Sequence, residues 1–515
     1  MLPAVMRTLA GAALGIHLLC LVWLGHAQRG GPAHLELVIP GGIPATFYLP
    51  APAPGDGRFP EPPGPGNGPP AVLLVHGYTA DRAAMSVLAR RIASAGYGVL
   101  AIDVRGHGQN PRLFARDNEG ANLFEDLAAA ADWLRGSSWV DGSRLAVVGH
   151  SMGASAALRF AERDVGVDAA ILISGGAWLL GPLRPPNALF IYAAGDPQGI
   201  QESAESLAAR LSGADGGEVG SFDGRDAVRA VEIPSNDHTT ILWSAAAAHE
   251  MIAWLDASLG IENEAEPDLS EPRALPALLA AALLPATLLG IGLALGAVVP
   301  AWPVREDGRW AGLGGLALAL LAALPLVSAA PLAAFLGLEV ADVLAGLLFA
   351  AGLLLCAGIA LRGDALLPAR EGALRSVVAG GAGFAAAYAL LAPIAGLAHD
   401  MTPGPARAWI GVQLALVLFP FFLGFEHCVR RGSPLSALAL GLAGRALTLA
   451  VIGLGVALGV VPFVVMLLFA PLGLVLLLGE AVAAGIHAAG GNRLASATFQ
   501  AALLAWMIAS TMPLR

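Results

Sequence analysis

The stretch Leu145-Ala-Val-Val-Gly149-His150-Ser151-Met152-Gly153-Ala154-Ser155 decides how the first half of this chain folds. An apolar run that suits a buried strand leads straight into G-x-S-x-G, and the small residues that follow suit the start of a helix. Side chains at 149 or 153 would collide with the neighbouring strand and helix, so the turn between them is sharp and both positions take glycine. Ser151 is pushed into the open at its apex, over a helix N-terminus. In a chain with 65 glycines the same letters also describe an ordinary strand-to-helix turn, so the surroundings have to decide.

Working outward, short apolar runs at 71–75, 98–103, 144–149, 168–174, 188–193 and 229–233 read as strands. Amphipathic stretches at 83–95, 119–136, 151–163, 202–212 and 240–258 read as helices. Upstream, 35–40 and 45–49 form a hairpin across Gly41-Gly42, and the Pro- and Gly-dense segment 50–70 is a loop. Strand and helix taking turns imply a largely parallel sheet covered on both faces, with its site beyond the carboxyl ends of the strands. At those ends stand His76-Gly77-Tyr78, Asp196 and His238. Ser151, Asp196 and His238 follow in that order with gaps of 45 and 42 residues, room for a helix and a strand in each. A hydroxyl, an imidazole and a carboxylate at strand ends are the parts of a Ser-His-Asp nucleophile. Asp223 and Asp237 compete for the acid position. Asp237 adjoins His238 in the chain and is badly placed to reach its ring, and Asp223 lies in a polar loop, which leaves Asp196 favoured.

Val75-His76-Gly77, Asp103-Val-Arg105-Gly106-His107-Gly108, Gly149-His150-Ser151-Met152-Gly153, Gly195-Asp196-Pro197 and Asn236-Asp237-His238 together resemble the α/β-hydrolase superfamily, in its lipase and esterase branch. The likeness covers about 71–258. It implies that Ser151 attacks an acyl carbonyl, that His238 carries the proton and that Asp196 orients the imidazolium. It also implies an oxyanion hole from the backbone N–H groups of Met152 and Tyr78. Asp103 and Arg105 are expected to fix a loop, and His107 and His150 to wall the site. Where many members insert a lid, 175–187 is short, so an open site with Trp178, Leu179 and Leu180 as an apolar rim is expected.

The second half reads differently. Over the whole chain 56% of residues are hydrophobic and 13% charged, but 31–265 is acidic at net −12 while 266–515 is neutral. Apolar runs occur at about 274–299, 311–336, 341–361, 376–398, 408–425 and 495–512, with a long tract at 434–480 that Pro462 and Pro471 divide into two. Each is long enough to cross a hydrocarbon core, which predicts about eight spans in an all-α multi-span membrane domain over 266–515. Residues 1–30, with Arg7 before an apolar stretch, are a signal anchor or a signal peptide, and 31–265 is then the exported α/β domain. Alternate loops agree: Arg305 and Arg309, Arg362, Arg370 and Arg375, Arg430 and Arg431, and Arg493 fall on the inner side, and only Arg407 on the outer. Arg445, Glu480 and His487 are expected at membrane interfaces. No family resemblance attaches to this half.

An acidic soluble part without a basic stripe excludes nucleic acid as a partner. The cysteines Cys20, Cys356 and Cys428 all lie in or beside apolar runs, so the soluble part has no disulfide framework or thiol nucleophile. Nothing shows metal-ligand spacing or a cofactor motif. The expected partners are a small-molecule or lipid ester and the membrane lipids. The leading expectation is a serine hydrolase of carboxylic esters or thioesters; an envelope acyltransferase sharing the acyl-enzyme, and a transporter or scaffold with a silent hydrolase domain, stay open.

Overall fold

The computed structural model describes residues 2–52, 60–115, 121–175, 184–213, 220–262, 267–301, 309–330, 332–367 and 370–515. The chain divides into two compact units. The first comprises Met1–Leu24, Ala274–Ile394 and Met401–Met512; the second comprises Gly25–Arg273 with the short segments Ala395–Asp400 and Pro513–Arg515.

After α1 (Leu2–Arg29), the second unit is built on eight strands: β1 (Pro32–Ile39), β2 (Ile43–Pro52), β3 (Pro70–Val75), β4 (Gly98–Ile102), β5 (Asp141–His150), β6 (Ala169–Ile173), β7 (Ala188–Gly195) and β8 (Val228–Asp237). They form one sheet in the order β1-β2-β4-β3-β5-β6-β7-β8. The hairpin β1–β2 and the β2–β4 pair are antiparallel, and every other pairing is parallel. Helices α2 (Ser86–Ser94), α3 (Ala121–Gly136), α4 (Met152–Arg163), α5 (Gln198–Ser212) and α6 (Ala245–Leu259) cover its faces. Successive strand side chains point to opposite faces, so β3 feeds two cores. Leu73 and Val75 join α3, α4 and α5 through Leu127, Phe160 and Leu207. Val72 and Leu74 join α2 and α6 through Leu88, Ile92, Met251 and Leu255. This is why the parallel strands read as unbroken apolar runs rather than alternating ones. The architecture is that of an α/β hydrolase.

The first unit is helical: α7 (Ala274–Val298), α8 (Arg309–Ala329), α9 (Ala341–Leu361), α10 (Arg370–Ala395), α11 (Pro405–Val429), α12 (Pro434–Ala457), α13 (Phe469–Ala488) and α14 (Arg493–Thr511) join α1. Among the described residues nine helices are long and apolar enough to cross a membrane, the build of a multi-pass membrane protein. Outward faces carry bare leucines such as Leu318, Leu353, Leu416 and Leu474, while Glu426, Arg430, Arg445 and Glu480 are buried inside. Two expectations fail here. Arg445 and Glu480 lie midway along α12 and α13 and are buried rather than interfacial. They can be there because they are paired: Glu480 accepts from Arg430 at 2.6 and 2.8 Å and from Arg445, and Arg430 also bonds Glu426 at 3.0 Å. A charge buried with its hydrogen-bonded partners avoids the cost that would have driven it to the interface.

Candidate active site

The register of the sheet assembles the site. His150 of β5 pairs with Ile173 of β6, and the Ser151 N–H donates to the Ile173 carbonyl at 2.9 Å. The Ser174 N–H in turn donates to the Ile191 carbonyl on β7 at 2.7 Å. Past an irregularity between Ala193 and Gly195, Gly195 pairs with Asp237 of β8. The next residue after each strand is therefore Ser151, Ser174, Asp196 and His238, four neighbours along one edge.

The turn at Ser151 is as sharp as the glycines require. Ser151 has φ 54° and ψ −115°, in the left-handed half of the map that side chains resist, and it caps α4. A Cβ on Gly153 would stand 2.5 Å from the His76 carbonyl oxygen, and one on Gly149 would stand 2.6 Å from the Ala154 nitrogen. Backbone occupies both spaces, so only glycine fits.

His238 Nε2 lies 3.0 Å from Ser151 Oγ, and His238 Nδ1 lies 2.6 Å from Asp196 Oδ1. Asp196 Oδ2 accepts from the Ser174 hydroxyl at 2.6 Å and the Ala193 N–H at 2.8 Å. Burial pushes the Asp196 carboxyl up, but hydrogen bonds from His238, Ser174 and Ala193 outweigh it and hold the group below its ordinary range, ionised. Asp223 is exposed on its turn. Asp237 is occupied by the Thr239 and Thr240 N–H groups at 2.9 and 2.8 Å. His238 therefore addresses the carboxylate that chain order favoured.

Two further histidines hold the backbone around this chain of groups. His150 Nε2 meets the His238 carbonyl oxygen at 2.8 Å, and burial followed by the charge of His238 pushes its imidazole down to about 3. His76 Nδ1 meets the Gly77 carbonyl oxygen at 2.8 Å while its Nε2 accepts the Val104 N–H at 3.2 Å, an arrangement that requires a neutral ring. Burial sets its pKa at about 4. Gly77 passes so close that a Cβ there would be 3.1 Å from Ser151 Cβ, which brings the backbone leading to Tyr78 beside the serine, with Met152 on its other side at the start of α4. Tyr78, His107 and Phe114 meet edge-on or tilted as a wall, with ring centroids 5.2 to 5.9 Å apart.

Asp103 accepts the Arg82 and Gln109 N–H groups at 2.8 Å each, and Arg105 bonds Asp126 and Glu125 at 2.8 Å, so both tie loops in place. Asp81, buried in the turn after Tyr78, accepts the Ala83 N–H at 2.9 Å and the Asp400 N–H at 2.6 Å and pairs with the His399 ring. Burial alone would raise it, but His399 overrides this and holds it at about 2. Sequence reasoning missed Ser174, the tethering role of His76, and the Asp81–His399 pair. Ser174 directly follows an apolar strand beside the elbow strand, a position that the topology could have flagged. The proposed rim of Trp178, Leu179 and Leu180 lies outside the described residues.

Residues 69–195 match the family described as serine aminopeptidase, S33. The match runs from the start of β3 to the end of β7 and includes Ser151. Over 103 residues, 20% of this chain and 37% of the relative, the sequence is 38% identical to cutinase 2 of Thermobifida cellulosilytica. An uncharacterized protein of Mycobacterium tuberculosis is 41% identical over 92 residues, 18% of this chain and 31% of that one. The matched stretches thus span about a third of the length of these curated relatives. Among solved structures, a Pyrococcus furiosus esterase aligns with 45% of this chain and 94% of its own at 16% identity and a TM-score of 0.33.

Proposed function

We propose that the second unit is a serine hydrolase that cleaves carboxylic esters or thioesters through an acyl-enzyme. The observation that carries this reading is the unbroken chain from Ser151 Oγ through the His238 imidazole to Asp196, at 3.0 and 2.6 Å. Ser151 attacks the acyl carbonyl as its proton passes to His238 Nε2, and the developing oxyanion is met by the Met152 and Tyr78 N–H groups. His238 then gives that proton to the departing alcohol or thiol. Water, deprotonated by His238, attacks the acyl-enzyme, releases the acid and returns the proton to Ser151. The cutinase likeness favours esters over the amides that the aminopeptidase description brings to mind.

The unit works on the exported side of the cytoplasmic membrane, and the arginine asymmetry of the loops supports this orientation. Residues 2–24 belong to the helical unit, where a Cβ on Gly290 would stand 2.7 Å from Ala10 Cβ, which supports a retained anchor. The test is covalent labelling of the full chain with a fluorophosphonate, alongside turnover of a short soluble ester and the matching amide. Labelling lost in Ser151→Ala together with ester turnover lost in Ser151→Ala and His238→Ala is expected. A folded protein that does not label would sink the reading, and amide turnover exceeding ester turnover would move it to a peptidase.

A further inference from the structure

The helical unit carries an open groove of about 870 Å³ that the hydrolase chemistry does not use. Its long wall is apolar, built from Ala311, Gly315 and Leu318 of α8 with Leu354, Gly358 and Ile359 of α9. Leu318 is 70% exposed and Leu354 38%, so this wall opens outward, where a membrane helix meets acyl chains. Gly315 and Gly358 each face open space, since a Cβ at either would meet nothing within 4 Å.

One end of the groove is cationic. Arg362 follows the end of α9, Arg431 follows the end of α11, and Arg493 opens α14, so three separate segments deliver a guanidinium to one place. Among the described residues Asp364 is the carboxylate on the lining. Glu426 and Glu480 are committed to Arg430 and Arg445. Three guanidiniums on the lining of one groove make that end of it favourable to an anion, and Arg493 also donates to the Arg430 carbonyl oxygen at 3.2 Å. All three arginines fall on loops that the charge pattern assigns to the inner side of the membrane. A basic pocket between spans there is the setting in which anionic lipid headgroups bind, and guanidinium forks match phosphate oxygens.

The geometry points to a binding site for a membrane phospholipid with an anionic headgroup, its phosphate held by Arg362, Arg431 and Arg493 and one acyl chain lying along the α8–α9 wall. The volume suits a ligand fragment of that size. This reading is independent of the chemistry assigned to Ser151.

The experiment uses the full chain in neutral detergent and in phosphatidylcholine vesicles, with fluorescent phosphatidylglycerol and phosphatidylcholine as probes. Phosphatidylglycerol should be retained at least about tenfold better than phosphatidylcholine. The double variant Arg362→Gln with Arg431→Gln should bring the ratio close to one. Gly315→Leu with Gly358→Leu, which fills the groove while leaving the arginines in place, should lower retention of phosphatidylglycerol several-fold. An unchanged melting temperature in each variant would show that the fold is retained. Glycerol phosphate at equal concentration should fail to displace the lipid, because it lacks the chain. Equal retention of the two lipids by the unaltered protein, displacement by glycerol phosphate, or an undiminished ratio in the arginine variant would overturn the proposal.

Discussion

Asp196 keeps its charge in a buried place because three donors converge on it, and each donor can be removed separately. Asp196→Asn keeps the size of the side chain but leaves His238 without a negative partner, so kcat on a soluble ester should fall roughly 10⁴-fold with the melting temperature little changed. Ser174→Ala removes one hydrogen bond to an ionised carboxylate, about 1.5–3 kcal/mol, and should cost roughly ten- to a hundredfold in kcat/KM. An Asp196→Asn variant that turns over normally would remove this residue from the proposed triad. The two tethering histidines give the molecule a pH dependence of stability. Unfolded imidazoles take up protons near 6.5, whereas folded His76 and His150 resist protonation down to about 4 and about 3. Their contribution is therefore complete above pH 6.5 and is lost as pH falls toward 4 and 3. Melting followed by loss of fluorophosphonate labelling should show the midpoint dropping between pH 7 and pH 5, and His150→Gln should shallow that slope.

At the scale of elements, the elbow depends on backbone passing where side chains would be. Gly153→Ala forces a methyl against the His76 carbonyl, so it should destabilise the unit by about 1–3 kcal/mol and abolish labelling. Gly199→Ala, on α5 with open space around it, should change neither. Thermal melts and labelling of the two variants check this pair. Such local features were legible in the sequence, because a strand period, a glycine spacing and a serine at the apex all lie within a dozen residues. Element ends were less so. The run 229–233 extends as β8 to Asp237 because its end is set by pairing with Gly195, and the stretch 240–258 divides into a 3-10 turn and α6 because Ser244 caps the helix through the Ala247 N–H. Arg445 and Glu480 were misjudged because local hydropathy shows the cost of a buried charge and not the partner that offsets it, here 35 positions away. The Asp81 partner was still further out of view.

For the whole molecule the loop charges carry a topology that can be measured. A reporter fused after Arg362 should behave as cytoplasmic and one inserted near Pro62 as exported; the opposite pair of signals would invert the proposed orientation. The second unit is not contiguous in the chain. It takes in Ala395–Asp400 and Pro513–Arg515, and the Leu514 backbone exchanges hydrogen bonds with Gly106 and Phe114 at 2.9 and 2.8 Å. A segment limited to 31–265 lacks these additions. It should still label at Ser151 but melt below the full chain, a difference that calorimetry of the two proteins would register. The Asp81–His399 pair also has a consequence in time. The two residues are 318 positions apart, and at 5–20 residues per second the ribosome needs roughly 15–60 s to travel between them. Throughout that interval the turn beside Ser151 carries a carboxylate whose imidazole has yet to be made. Translation thus acts as a clock on this protein's maturation, and its elbow reaches its final surroundings only after five more helices have been synthesised beyond β8.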